Sequence, residues 1–151
     1  MNVLLDTNIL GRMMQPGHPQ YQTAAEAVDA LVARGESPCV VPQVFYEFWV
    51  VATRPTANNG LGLTVAQVAA ELSRMRLLFP LFPDSPAIYP EWERLVTTHS
   101  VKGKPAHDAR LVAAMLVHQL THILTFNGAD FARFTGITVL APAGLVPPPP
   151  P

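Results

Sequence analysis

The sequence predicts an α/β fold, a parallel central sheet with helices on both faces, and three observations lead there. Short apolar runs alternate with longer stretches of helical spacing from one end of the chain to the other. The runs Val3-Leu4-Leu5, Pro38-Cys-Val-Val41 and His122-Ile-Leu-Thr125 are nearly continuous in apolar residues, as strands buried on both faces are. The first run stops on Asp6, and open α/β sheets bind ligands outside the carboxyl ends of their strands, so the chain is expected to converge on that carboxylate.

Taken in order, Val3 to Leu5 is too short for an ordinary helix and reads as the first strand. Gly11 to Pro19 reads as a connector, with Ile9 to Met14 open to a short helical turn. Tyr21 to Arg34 sets Ala24, Ala27, Val28 and Leu31 at helical spacing, and Gly35 closes that helix. Pro38 to Val41 is a strand, after which Pro42 suits the first position of a helix, where its missing N–H costs nothing. That helix runs to about Thr53 and carries Glu47 among Phe45, Tyr46, Phe48 and Trp49. Pro55 to Gly62 is a loop turning at Asn58-Asn59-Gly60, and Thr64 caps a helix through Val65, Val68, Leu72 and Met75. Phe79 to Phe82, bounded by prolines, reads as a third strand, and Pro86 to Thr98 as a helix with Trp92, Leu95 and Val96 inward. Lys102-Gly-Lys-Pro105 breaks it, and Ala106 to Gln119 is the longest clean helix, with Asp108 in its first turn. His122 to Thr125 is a strand, Asn127 to Phe134 a turn with a short helical segment holding Asp130, and Ile137 to Leu140 the last strand. Pro147 to Pro151 is an extended, solvated polyproline run.

Composition narrows the functional classes. A chain of 151 residues, 49 % hydrophobic and 14 % charged, is one compact globular domain and not a disordered segment. No apolar run approaches bilayer length, and Asp6 interrupts the first one too early for a secretory signal core, so the start is read as mature structure. A lone cysteine, Cys39, forms no internal disulfide, and a cytoplasmic location is expected. The net charge of −1 gives no global attraction for nucleic acid and weakens a pure binding-module reading. It leaves room for an enzyme whose positive field comes from bound cations and a few local Lys or Arg side chains.

Four carboxylates fall at element ends or interrupt an apolar face: Asp6, Glu47, Asp108 and Asp130. Each alone has a plain structural use. Asp108 suits a helix dipole, Asp130 and Asp6 suit turns or caps, and Glu47 suits an exposed helix face. Together they are harder to dismiss, because strand ends and the helix starts that follow them point at one crevice, where four acids repel unless cations neutralise them. Hard oxygen ligands select Mg²⁺ or Mn²⁺, and such ions activate water and stabilise the leaving oxygen of a phosphodiester.

Four pieces of the chain then match a known family. Leu4-Leu-Asp6-Thr7-Asn8-Ile-Leu10, Gln43-Val-Phe-Tyr-Glu47-Phe-Trp49, His107-Asp108-Ala-Arg110-Leu-Val-Ala113 and Thr125-Phe-Asn127-Gly-Ala-Asp130-Phe131 occur in order and at suitable separation. With them the chain resembles the PIN-domain ribonucleases, specifically the VapC-like toxins of type II toxin–antitoxin systems. The similarity covers residues 1–142, with 143–151 a proline-rich tail outside it. The resemblance implies a sheet ordered 3-2-1-4-5, with Asp6, Glu47, Asp108 and Asp130 as catalytic, metal-binding acids. It implies that Thr7 and Asn8 shape the loop after the first strand and that Thr125 and Asn127 line the opposite rim. It further implies Mg²⁺- or Mn²⁺-dependent cleavage of single-stranded RNA and inhibition by a small antitoxin protein.

Lys102, Lys104 and Arg110 are candidates for contacts to substrate phosphates, although Arg110 also sits where it can pair with an acid. His107 adjoins Asp108, but a metal-activated water needs no histidine, so a surface role is preferred. Met13, Met14, Phe45, Trp49 and Val50 pack in the core by default, and any exposed subset of them would make a partner or homodimer surface, which the resemblance favours for Phe45 and Trp49. Two other functions stay open. An aspartate-dependent phosphatase or phosphotransferase fits Asp6 at a strand end, yet usually places a second aspartate two residues on, where this chain has Asn8. A catalytically silent nucleic-acid-binding domain would want lysines where these acids stand.

Overall fold

The structure, a computed structural model, describes residues 1–148 and 150–151. The proline run expected at Pro147 to Pro151 falls partly on residue 149, which lies outside the described residues. Four parallel strands, β1 (Asn2–Leu5), β2 (Ser37–Cys39), β3 (His122–Leu124) and β4 (Thr138–Leu140), form one sheet in the order β2-β1-β3-β4. The register pairs Leu4 with Cys39 on one side and with Ile123 on the other, so β1 is central and its three leucine and valine side chains are fully buried.

Six helices connect the strands: α1 (Thr7–Met13), α2 (Tyr21–Ala33), α3 (Pro42–Thr53), α4 (Val65–Leu78), α5 (Ile88–Thr98) and α6 (Ala106–Val117). The helices form two groups, α1 to α4 and α5 with α6. The helix contacts divide the same way, α1 touching α2 and α3, α3 touching α4, and α5 packing along α6. Phe48 of α3 and Leu111 and Met115 of α6 are buried in the single core that results.

Two sequence expectations need correction. The sheet has four strands, not five in the order 3-2-1-4-5, because the expected strand Phe79 to Phe82 survives only as a one-residue parallel bridge between Val40 and Leu81. Helix α4 continues to Leu78 with Phe79 as its C-cap, and Pro80 and Pro83 remove two of the N–H groups that a longer ladder needs. Val40 N–H donates to the Pro80 carbonyl (3.0 Å) and Phe82 N–H to the Val40 carbonyl (2.9 Å), outside β2, where the order put a third strand. The second correction concerns Gly11 to Pro19, where the helical turn left open over Ile9 to Met14 forms as α1 and takes Gly11 to Met13 out of the connector. That helix starts immediately after β1, because the Asp6 carboxylate accepts the Thr7 N–H at 2.7 Å and acts as its N-cap.

Other elements form for the reasons their sequence supplies. Pro42 opens α3 at its first turn, and α4 is held by a full capping box, with Gln67 N–H donating to Thr64 Oγ1 (3.1 Å) and Thr64 N–H to Gln67 Oε1 (2.8 Å). The 55–62 loop folds back on α3, with Leu61 N–H donating to the Val51 carbonyl and Leu63 N–H to that of Ala52. After β4 a short 3-10 turn, Pro142–Gly144, delivers Leu145 into the core, and the Arg34 guanidinium donates to the Leu145 carbonyl (3.2 Å).

Candidate active site

The carboxyl ends of β1 and β3 lie side by side, and between them the strand order reverses direction, since β2 follows on one side of β1 and β3 on the other. Asp6 ends β1 and Thr125 follows β3, both buried. The Thr125 hydroxyl donates to Asp6 Oδ2 at 2.7 Å. Asn8, in the first turn of α1, donates from Nδ2 to the same Asp6 oxygen and to Thr125 Oγ1, both at 3.1 Å, and its Oδ1 accepts the Phe126 N–H at 3.1 Å. The Asn127 N–H completes the hydroxyl by donating to it at 3.0 Å. Thr125 thus uses its one donor and both acceptor positions, and Asp6 is fixed by three donors.

Glu47 reaches this crevice from α3. Its Oε2 accepts the Thr7 hydroxyl (2.9 Å) and its Oε1 accepts Gln43 Nε2 (2.9 Å), so each oxygen is oriented by one donor and keeps free lone pairs. Asp108 stands in the first turn of α6, half-buried, and Asp130 is exposed on the 3-10 turn Gly128–Phe131 that follows β3. A Cβ on Gly128 would come within 3.0 Å of Val139, which keeps that turn close against β4.

Electrostatics joins the four acids into one site. Burial is the chief reason that the Asp108 carboxyl rises from 3.8 to about 6, and the charges of Asp130, Asp6 and Glu47 push it further in the same direction, opposed by His107. Asp6 is also raised, first by burial and then by Glu47 and Asp130, against the lowering effect of the Thr125 and Thr7 hydrogen bonds. Burial together with neighbouring negative charge makes the Asp6 and Asp108 carboxyls favour a proton or a cation.

The donor set suits a hard divalent ion, being four carboxylates with hydroxyl and amide neighbours and no thiol; the only cysteine, Cys39, is buried in the core. Among the described residues no three carboxylate, imidazole or thiol groups stand at the spacing for direct ligation of one ion. Mg²⁺ takes one or two carboxylates and keeps water at its other positions, so the acids fit it as an open site and not as a closed cage.

Lys102 and Lys104 are exposed on the loop before α6. Arg110 is committed within the protein, its NH1 donating to Gln43 Oε1 (3.0 Å) and its NH2 pairing with Asp84 (3.2 Å). The residue that sequence reasoning left without a role is Gln43. It is buried, and it stands four residues before Glu47 on α3, a spacing that puts two side chains on one helix face and was the available signal. Asn8 also bears on the phosphatase alternative, because its amide cannot act as the proton donor that such enzymes place two residues after the nucleophile.

Residues 3–137 match the PIN domain family. The chain is a PIN domain protein. No curated protein matches it in sequence. Among solved structures, this PIN domain is similar to VapBC2 from Rickettsia felis, crystallised with a DNA fragment from its promoter, at 16 % identity and a TM-score of 0.68, covering 93 % of this chain and 98 % of that one. It is similar to a toxin–antitoxin complex from Klebsiella pneumoniae at 25 % identity and a TM-score of 0.59, with 93 % and 97 % covered. It is also similar to VapC20 from Mycobacterium tuberculosis, a toxin that cleaves the sarcin–ricin loop, at 18 % identity and a TM-score of 0.61, with 86 % and 93 % covered. Among the described residues, no helix is long and apolar enough to cross a membrane.

Proposed function

We propose that this PIN domain is an Mg²⁺- or Mn²⁺-dependent endoribonuclease that cuts single-stranded RNA, and the toxin of a toxin–antitoxin pair. The observation that carries the reading is that Asp6, held by Thr7, Asn8 and Thr125 at the carboxyl end of the sheet, shares Thr7 as a donor with Glu47 from α3, while Asp108 of α6, raised to about 6 chiefly by burial, also feels the charges of Asp130, Asp6 and Glu47. Membership of the PIN family supports it, and so do the fold neighbours, which are toxin–antitoxin proteins and include one that cleaves RNA.

In this reading one or two of Asp6, Glu47, Asp108 and Asp130 would hold the divalent ion directly and the others through water, and the bound ion would supply water activation and neutralise charge on the phosphodiester. Asp6 is held in place by Thr7, Asn8 and Thr125, and Glu47 by Thr7 and Gln43, so two acids arrive preoriented and need no rearrangement on binding. Asn127 lines the rim through its backbone N–H to Thr125. Lys102 and Lys104 meet RNA phosphates at the mouth, Arg110 stands behind Glu47, and the small antitoxin and a second copy of the chain are the protein partners.

The test is cleavage of single-stranded RNA by purified protein with and without Mg²⁺ or Mn²⁺, for wild type, Asp6→Asn and Glu47→Gln. The expected outcome is metal-dependent cutting by wild type and a loss of at least about 100-fold in both variants with their far-UV spectra unchanged, the scale of losing an electrostatic group at a reacting centre. Equal rates under matched metal would reject the assignment.

A further inference from the structure

The Gln43 side chain links α3 to α6 and, through Arg110, to the segment after the Leu81 bridge. Both hydrogens of its Nε2 are used, one on Glu47 Oε1 at 2.9 Å and one on the His107 carbonyl at 2.7 Å, while its Oε1 accepts Arg110 NH1 at 3.0 Å. The Asp84 carboxylate holds that guanidinium from the far side at 3.2 Å. These partners fix the direction of the amide. Turned over, it would set its oxygen against a carboxylate and a carbonyl, and its NH₂ against a guanidinium. A buried amide with every partner satisfied is rigid, and it costs free energy to leave any of them unpaired.

The His107 carbonyl belongs to the first turn of α6, one residue before Asp108. By gripping that carbonyl and Glu47 with a single NH₂ group, Gln43 ties the helix that carries one acid to the turn that carries another. The Thr7 hydroxyl takes the other Glu47 oxygen from α1, so rotation of the carboxylate is blocked at both ends.

We propose that Gln43, backed by Arg110 and Asp84, is a positioning residue that sets the spacing between Glu47 and Asp108, and so the affinity of the acid site for its divalent ion. This rests on the metal-site reading above. Gln43 touches neither substrate nor the reacting atoms; it acts through Glu47. Loss of an outer partner that orients a ligand weakens metal binding by about 10- to 100-fold. Arg110 belongs to the same assembly, which assigns it to the acids and not to RNA.

The experiment measures Mn²⁺ binding to the metal-free protein by calorimetry, without RNA, for wild type, Gln43→Met and Arg110→Ala, and then cleavage at rising Mn²⁺. Gln43→Met keeps the side-chain volume and removes all three hydrogen bonds. It is expected to weaken Mn²⁺ binding by at least about 10-fold and to recover wild-type kcat once metal saturates. Arg110→Ala, at a less buried position, is expected to weaken Mn²⁺ binding by a smaller factor with KM for RNA unchanged. Wild-type Mn²⁺ affinity in both variants overturns the proposal while leaving the nuclease reading intact, and so does a raised KM for RNA in Arg110→Ala at unchanged metal affinity. A wild-type protein that binds no divalent ion overturns both. If Gln43→Met fails to fold, the Arg110→Ala binding curve decides between these outcomes.

Discussion

Asp108→Asn is expected to make the metal-free protein more stable while abolishing its proposed activity. In the folded chain the Asp108 carboxyl is raised from 3.8 to about 6 by burial and by Asp130, Asp6 and Glu47, so its ionised form is disfavoured there relative to the unfolded chain. Each tenfold change in proton affinity is worth about 1.4 kcal/mol, which bounds the cost of ionisation at ~3 kcal/mol. Asp108 is only half-buried, and solvent screening reduces the cost to about 1 kcal/mol. The sign follows from the raised value: the folded state holds the proton more tightly, so stability is full below 3.8, falls as pH rises to about 6, and is level above it. Asparagine does not titrate. Without metal, the variant should therefore melt about 3 °C above wild type above about pH 6, the gap closing toward about pH 4. Added Mg²⁺ at 100 times its Kd stabilises wild type by about 2.7 kcal/mol and should reverse the order. Thermal melts monitored by circular dichroism, with chelator and then with Mg²⁺ at both pH values, measure this. A variant that melts at or below wild type above pH 6 in chelator, or a gap unchanged at low pH, would refute the account in which burial and neighbouring charge disfavour the ionised Asp108.

Two further outcomes follow from the same structure. Lys102→Ala with Lys104→Ala should raise KM for RNA at unchanged kcat and flatten the dependence of log binding on log salt by about 1.4, two single-strand phosphate contacts at about 0.7 each, as read by fluorescence anisotropy. A slope equal to wild type removes both lysines from the RNA path. Gly60→Ala places a Cβ 1.9 Å from the Arg54 carbonyl oxygen, a backbone atom that cannot step aside. The loop must open, at about 2 kcal/mol and roughly 6 °C of melting temperature, and an unchanged melt would contradict the close approach.

How much of this was legible in the chain depended on whether a signal was local. Asp6 at the end of an apolar run, Pro42 at a helix start, Thr64 as an N-cap and the apolar stripe of α6 all state their structure within a few residues, and each stands where the sequence put it. The third strand was not legible, since Leu77-Leu-Phe-Pro-Leu-Phe-Pro83 suits a strand by composition while its first residues go to the end of α4. Helix α1 was legible as a turn over Ile9 to Met14, but its start at Thr7 was obscured because Asp6 serves both as the end of the first strand and as the cap of the next element. The spacing of Gln43 to Glu47 was readable, but its contacts to His107 and Arg110 lie more than sixty positions away, and no local pattern encodes that meeting.

The single-residue bridge at Leu81 has a consequence for self-association. An open sheet border is a template on which a second molecule can add a strand. Here that border offers one bonded residue between Pro80 and Pro83, and the opposite border, β4, is three residues long. Neither gives a neighbouring chain enough free N–H and C=O groups to zip onto, so a sheet this apolar can sit in a concentrated solution without growing into fibrils.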